Sequence, residues 1–104
     1  MKFTVIMLLK NLIKNCPKNL QKIKVNDLSS DTRNLKKRNL FFALSGSKYN
    51  GKEFINSAIK KGACAVIIDK RFKIQHPKII NVKDINKTLE NCCTKFYKNK
   101  PKNI

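Results

Sequence analysis

The chain has 104 residues, within the usual span of about 100–200 for one domain, and its 41% apolar content with three Pro and three Gly excludes a disordered or collagen-like chain. Charge is the outlier: 24 basic residues against 6 acidic ones give +18. Twenty-one of the basic residues are Lys and three are Arg, and Lys, Ile and Asn together supply 46 of the 104 residues. These are residues of A- and T-rich codons, so much of the charge reads as compositional drift. A chain this basic attracts any polyanion at low salt. Specific nucleic-acid readers, however, lean on Arg for bidentate contacts, and no helix-turn-helix, zinc-finger or RNP pattern is present. A specific nucleic-acid partner is therefore not expected. A basic, non-enzymatic polyanion-binding protein stands as a competing functional class.

Val5, Leu8, Leu9, Leu12 and Ile13 fall at helical spacing, which predicts a packed N-terminal helix ended before Pro17, with a membrane-surface helix as the lesser reading. Its apolar run is too short to span a bilayer, and no cleavage site follows. Residues 18–24 read as a basic loop and Val25–Leu28 as a short strand. Asn34–Asn39 is a charged connection. Leu40–Leu44 is a continuous apolar run, the pattern of a strand covered on both faces. The turn-rich Ser45–Gly51 leads into a helix with Asn50 as N-cap, Glu53 in a capping-box position, and Phe54, Ile55, Ala58 and Ile59 on its apolar face. Gly62 stops that helix, and Ala63–Ile68 is a second buried strand. Ile79–Val82 reads as another strand. A last helix starts at Asp84 as N-cap and carries Ile85, Leu89, Cys92, Cys93 and Phe96 as its stripe.

The four cysteines, Cys16, Cys64, Cys92 and Cys93, form no C-x-x-C, and the single His76 stands beside Pro77 away from all of them. No metal-ligand spacing results. They read as free thiols of a reducing cytoplasm, with Cys64 and one of Cys92 and Cys93 in the core, and His76 reads as a loop residue. Strand, loop, helix and strand over residues 40–68 make a βαβ unit with a parallel, right-handed crossover. The fold class is α/β, a small mixed sheet with flanking helices. Ligands of such sheets bind beyond the carboxyl ends of the strands, which singles out Ser29–Arg33 and Ser45–Gly51.

Ser30-Asp31-Thr32-Arg33, Asn39-Leu40-Phe41-Phe42-Ala43-Leu44-Ser45-Gly46, Asn50-Gly51-Lys52-Glu53-Phe54-Ile55, Ala58 and Gly62-Ala63-Cys64-Ala65-Val66 follow one another in order. The set resembles the N-terminal domain of Mur ligases, whose pattern is D-[ST]-R, G-x-L-F-x-A-x-x-G, D-G-x-x-F-I, an A, and G-A-x-A. The ending Lys95-Phe96-Tyr97 with Pro101 is similar to the end of that domain. The resemblance implies a UDP-substrate-binding domain over residues 1–97 and a basic linker over residues 98–104. It further implies a partner substrate, a UDP-N-acetylmuramoyl-dipeptide, and central and C-terminal ligase domains that bind ATP with Mg2+ and the incoming amino acid. Phe96-Tyr97 and the short N-terminal helix with Pro17 resemble the members that add meso-diaminopimelate or L-lysine to UDP-N-acetylmuramoyl-L-alanyl-D-glutamate. Asp31-Thr32-Arg33-x-Leu35 is also similar to the D-alanyl-D-alanine-adding members. Carried over by motif, Ser30 and Thr32 lie at the uridine-side loop, and Ser47, Lys48 and Tyr49 in the second uridine-contacting loop. Asp31 and Arg33 equally suit a purely structural role, tying loops together.

Three positions depart from the pattern. Arg38-Asn39 replaces the glycine before L-F, so that turn is expected to change. Asn50-Gly51 replaces D-G, which keeps an N-cap and loses a charge. Lys48 is not the usual residue of its loop. The family's Gly-rich G-T-N-G-K-[ST] phosphate loop is not in this sequence and is expected a few residues beyond Ile104. The resemblance therefore implies ATP-dependent amide formation for the parent enzyme, inactivity for the 104-residue chain alone, and a fragment, an excised domain or a degenerate gene product.

Overall fold

A computed structural model describes residues 6–30, 33, 35–44, 51–70 and 76–98. The N-terminal segment differs from the helix its periodicity suggested, and Val5 lies outside the described residues. Met7–Leu8 is a strand (β1), and the helix that follows, α1, is only Leu9–Leu12. β1 pairs antiparallel with β2, Lys24–Val25, in register Met7↔Val25 and Leu8↔Lys24. The physical reason is the partner. The Leu9 and Lys10 amides donate to the carbonyls of Ile23 (2.8 Å) and Gln21 (3.3 Å), so the returning chain takes donors that a first helical turn leaves orphaned. The predicted apolar face survives in part, with Leu9, Leu12 and Ile13 buried. Residues 18–20, read as loop, form a 3-10 turn.

The single strand expected over Val25–Leu28 is two. Val25 closes β2, and β3, Asp27–Ser29, joins a different sheet. Asn26 is the pivot, its amide donating to the Arg38 carbonyl at 2.9 Å. β4 is Asn39–Phe42, β5 Ala65–Asp69 and β6 Ile79–Val82. The four form a parallel sheet in order β3-β4-β5-β6, with Leu40↔Ala65 and Val66↔Ile79 among the registers. β4 ends before the predicted Leu44 because the Leu44 amide turns back to the Phe42 carbonyl (3.0 Å), leaving Leu44 exposed.

Side chains alternate across this sheet as a two-residue period demands. Leu40, Phe42, Ala65, Ile67 and Ile80 enter one cluster with Leu9, Leu12, Cys92 and Phe96. Phe41, Ala43, Val66, Ile68 and Ile79 enter another with Ile55 and Ala58. The helix α2, Gly51–Lys60, therefore covers one face, and α1 with α3, Ile85–Lys98, covers the other. The class is α/β as expected. Asn50 and the side chains of Glu53 and Phe54 lie outside the described residues. Leu35, in the charged connection, is buried beside Phe41.

Two turns at the amino ends of the strands interlock. α2 stops in a Schellman arrangement: Gly62 has φ 109, its amide donates to the Ile59 carbonyl (3.0 Å), and Ala63 donates to Ala58 (3.1 Å). A Cβ at Gly62 would stand 2.7 Å from the Lys37 Cα. The Arg38 amide donates to the Gly62 carbonyl at 2.7 Å, and Arg38 itself has φ 64. The turn expected to change on losing its glycine thus still uses the left-handed backbone that glycine takes at least cost.

Candidate functional site

Because β3, β4, β5 and β6 are all parallel, their carboxyl ends share one edge. Ala43 and Leu44 continue from β4 there, Asp69 ends β5, Lys83 and Asp84 join β6 to α3, and Ile85 and Asn86 open α3. Together they line an open depression of about 420 Å³. Its lining mixes apolar Ala43, Leu44 and Ile85 with both signs of charge at Asp69, Lys83 and Asp84. Asp84 builds the start of α3. Its Oδ1 accepts the Lys87 amide (3.1 Å), and its carbonyl accepts both the Thr88 amide (3.0 Å) and the Thr88 hydroxyl (2.9 Å). This is the N-cap read from the sequence. Asp69 and the Lys83–Asn86 turn were not singled out as part of a site. The strand-end rule reaches them only once β5 and β6 are known to lie beside β4.

Ser30 follows β3 directly and is exposed, as is Arg33. Since β3 and β4 are hydrogen-bonded neighbours, in register Asp27↔Asn39 to Ser29↔Phe41, the chain leaving Ser29 and the chain leaving Leu44 depart side by side from the same edge. Those are the two segments chosen from the sequence. Thr32, Ser47, Lys48 and Tyr49, with Asp31, lie outside the described residues.

Several ionisable groups with shifted titration sit away from this edge. The Tyr97 phenol is pushed up to about 12 by burial and by its hydrogen bond to Asp27 Oδ1 (3.0 Å), the same oxygen that accepts the Leu28 amide at 2.8 Å. This bond ties the end of α3 to the start of β3. Burial pushes the Cys64 and Cys92 thiols up to about 11, and Cys16 is raised for the same reason. All four cysteines are free, with Cys16, Cys64 and Cys92 buried and Cys93 half-buried. Elevated, buried thiols are poor nucleophiles and poor metal ligands. His76 is exposed in a loop, its Nδ1 accepting the Lys78 amide at 3.1 Å.

Among the described residues no three His, Cys, Asp or Glu side chains gather where a metal ion could be held. Nor does the sequence contain a Gly-rich phosphate loop. No step through Mg2+-ATP is assigned to these residues. No helix among the described residues is long and apolar enough to cross a membrane.

The sequence matches the family pattern described as "Mur ligase family, catalytic domain" over residues 24–101. The chain is 39% identical over 84 residues to the UDP-N-acetylmuramoyl-L-alanyl-D-glutamate--2,6-diaminopimelate ligase of Rickettsia montanensis, covering 81% of this chain and 18% of that protein. It is 34% identical over 101 residues to the enzyme of the same name from Clostridium tetani, covering 89% of this chain and 21% of that protein. The enzyme of that name from Rickettsia prowazekii is 35% identical over 81 residues, covering 78% and 17%. The chain thus spans about a fifth of the length of these relatives. A parallel α/β sheet, two motif-bearing segments leaving adjacent strands at one edge, and a sequence match across most of the chain agree: the chain belongs to the Mur ligase family.

Proposed function

We propose that this chain is the N-terminal, UDP-substrate-binding domain of a peptidoglycan-precursor ligase, formed by residues 1–97 and followed by a basic linker over residues 98–104. The parent enzyme adds meso-diaminopimelate to UDP-N-acetylmuramoyl-L-alanyl-D-glutamate in the cytoplasm. The relatives are named for diaminopimelate, which favours it over L-lysine and over the D-alanyl-D-alanine-adding reaction. The observation that carries the reading is the adjacency of β3 and β4, which sends both motif segments out from one sheet edge. Ser30 and Thr32 bond the uridine from one segment. From the other, Ser47 bonds the ribose or base, Lys48 meets the diphosphate and Tyr49 stacks. Hydroxyls and amides that must be paired on binding reject the wrong base edge. ATP and Mg2+ belong to other domains of the parent enzyme, where the D-glutamate carboxylate is phosphorylated and attacked by the incoming amine.

Titration of the chain with UDP, followed by amide NMR, tests this. Shifts should gather at Ser29–Arg33 and at Leu44–Gly51, with a Kd in the high-micromolar to millimolar range, roughly 4–6 kcal/mol of binding. ADP should bind more weakly than UDP. Equal responses to UDP, ADP and pyrophosphate, scattered over lysine-rich surfaces, would mean charge attraction without a uridine site.

A further inference from the structure

The opposite, amino edge of the parallel sheet collects cations. The Arg38–Gly62 hydrogen bond and the close approach of Gly62 to Lys37 set Lys36, Lys37 and Arg38 against Lys60 and Lys61 at the end of α2. The Asn26–Arg38 bond brings the end of β2, with Lys24, to the same place. All six are exposed. Of the described carboxylates, only Asp27 lies at this edge, and its Oδ1 already accepts the Tyr97 hydroxyl and the Leu28 amide. At the carboxyl edge Arg33, Lys70, Lys83 and Lys87 stand with Asp69 and Asp84.

The amino edge also carries apolar surface. Three large hydrophobic side chains are exposed among the described residues, and two of them are here. Tyr97, 43% exposed, is held beside Asp27. Ile6, 46% exposed, lies one residue beyond the Met7↔Val25 pair, which carries it alongside Asn26. We propose that this edge docks on an anionic phospholipid bilayer, with the six cations over the headgroups and Ile6 and Tyr97 entering the interface. Lys-rich clusters beside an apolar side chain and an interfacial Tyr suit that surface. A nucleic-acid backbone would use the charges but has no use for Ile6, and stacking on bases favours several open rings. Strands of four residues separate the two edges by about 13 Å, more than the Debye length of about 8 Å at physiological salt. The two edges therefore act as separate electrostatic surfaces.

Sedimentation of the 104-residue chain with vesicles of phosphatidylcholine, with or without phosphatidylglycerol, at physiological ionic strength tests the proposal. Binding should require phosphatidylglycerol. Lys36→Gln with Lys37→Gln should weaken it about fivefold per charge. Lys83→Gln with Lys87→Gln, the same charge loss at the other edge, should change it by less than about twofold. Ile6→Ser should weaken vesicle binding while leaving retention on duplex DNA unchanged. All these side chains are exposed, and circular dichroism verifies that each variant is folded. Equal losses from the two lysine pairs, or indifference of vesicle binding to Ile6→Ser, would each overturn the proposal.

Discussion

The Arg38 amide donates to the Gly62 carbonyl at 2.7 Å, and both residues have positive φ, at 64 and 109. For Gly62 the residue suits the backbone. Gly62→Ala forces a Cβ to within 2.7 Å of the Lys37 Cα, a backbone atom that cannot swing aside. It should cost about 2–3 kcal/mol in urea unfolding, combining strain and steric displacement. Arg38 is the reverse case. A non-glycine residue in the left-handed region costs about 1–2 kcal/mol, and glycine returns part of that as unfolded-state entropy. Arg38→Gly should therefore raise stability by about 0.5–1 kcal/mol. The two thiols supply a pH test. Cys64 and Cys92 titrate near 11 when folded, against an ordinary value of 9.0. Folding thus favours the protonated thiol. Its contribution is complete below pH 9.0 and is lost as pH rises toward about 11. The urea midpoint should fall over that window, and Cys92→Ala should flatten the fall.

At the scale of elements, α3 combines a sequence-legible start with a site-facing position. Asp84 caps the helix through Lys87, so Asp84→Ala should destabilise the chain by about 1 kcal/mol, while Asp84→Asn, an equally good cap, should leave stability nearly unchanged. Thermal unfolding of the two variants separates capping from charge. The loop after β3 carries the functional counterpart. Thr32→Val should weaken UDP binding by about 1 kcal/mol, the value of one hydrogen bond, with little change in stability. A loss of fold in place of a loss of affinity would mean that Thr32 serves to tie the loop.

For the whole molecule, the sheet divides the labour between its two edges. The carboxyl edge, with Ser30, Leu44 and the depression beside Asp69 and Asp84, is the side proposed for substrate. The amino edge is the side proposed for membrane contact. The chain spans about a fifth of its relatives' length and contains no phosphate loop. A clean preparation should therefore show no ATP hydrolysis and no amide-forming turnover, measured by phosphate release with and without UDP-N-acetylmuramoyl-dipeptide.

The order of elements from β4 to α3, the two-faced burial of Leu40–Ala43 and Ala65–Ile68, the Gly62 stop and the Asp84 cap were legible in the sequence, as was the family pattern. Each of these is decided within a few residues, by side-chain periodicity or by who can cap whom. Partner choice is not local, and there the tertiary structure decided. Met7–Leu8 became a strand because Lys24–Val25 returns beside it. Val25 and Asp27 parted into different sheets because Asn26 is bonded to Arg38. Ser30 came to leave the sheet beside the carboxyl end of β4 because β3 lies against β4. Lys36, Lys37 and Arg38 came to stand against Lys60 and Lys61 because the stop of α2 at Gly62 packs on the turn that precedes β4.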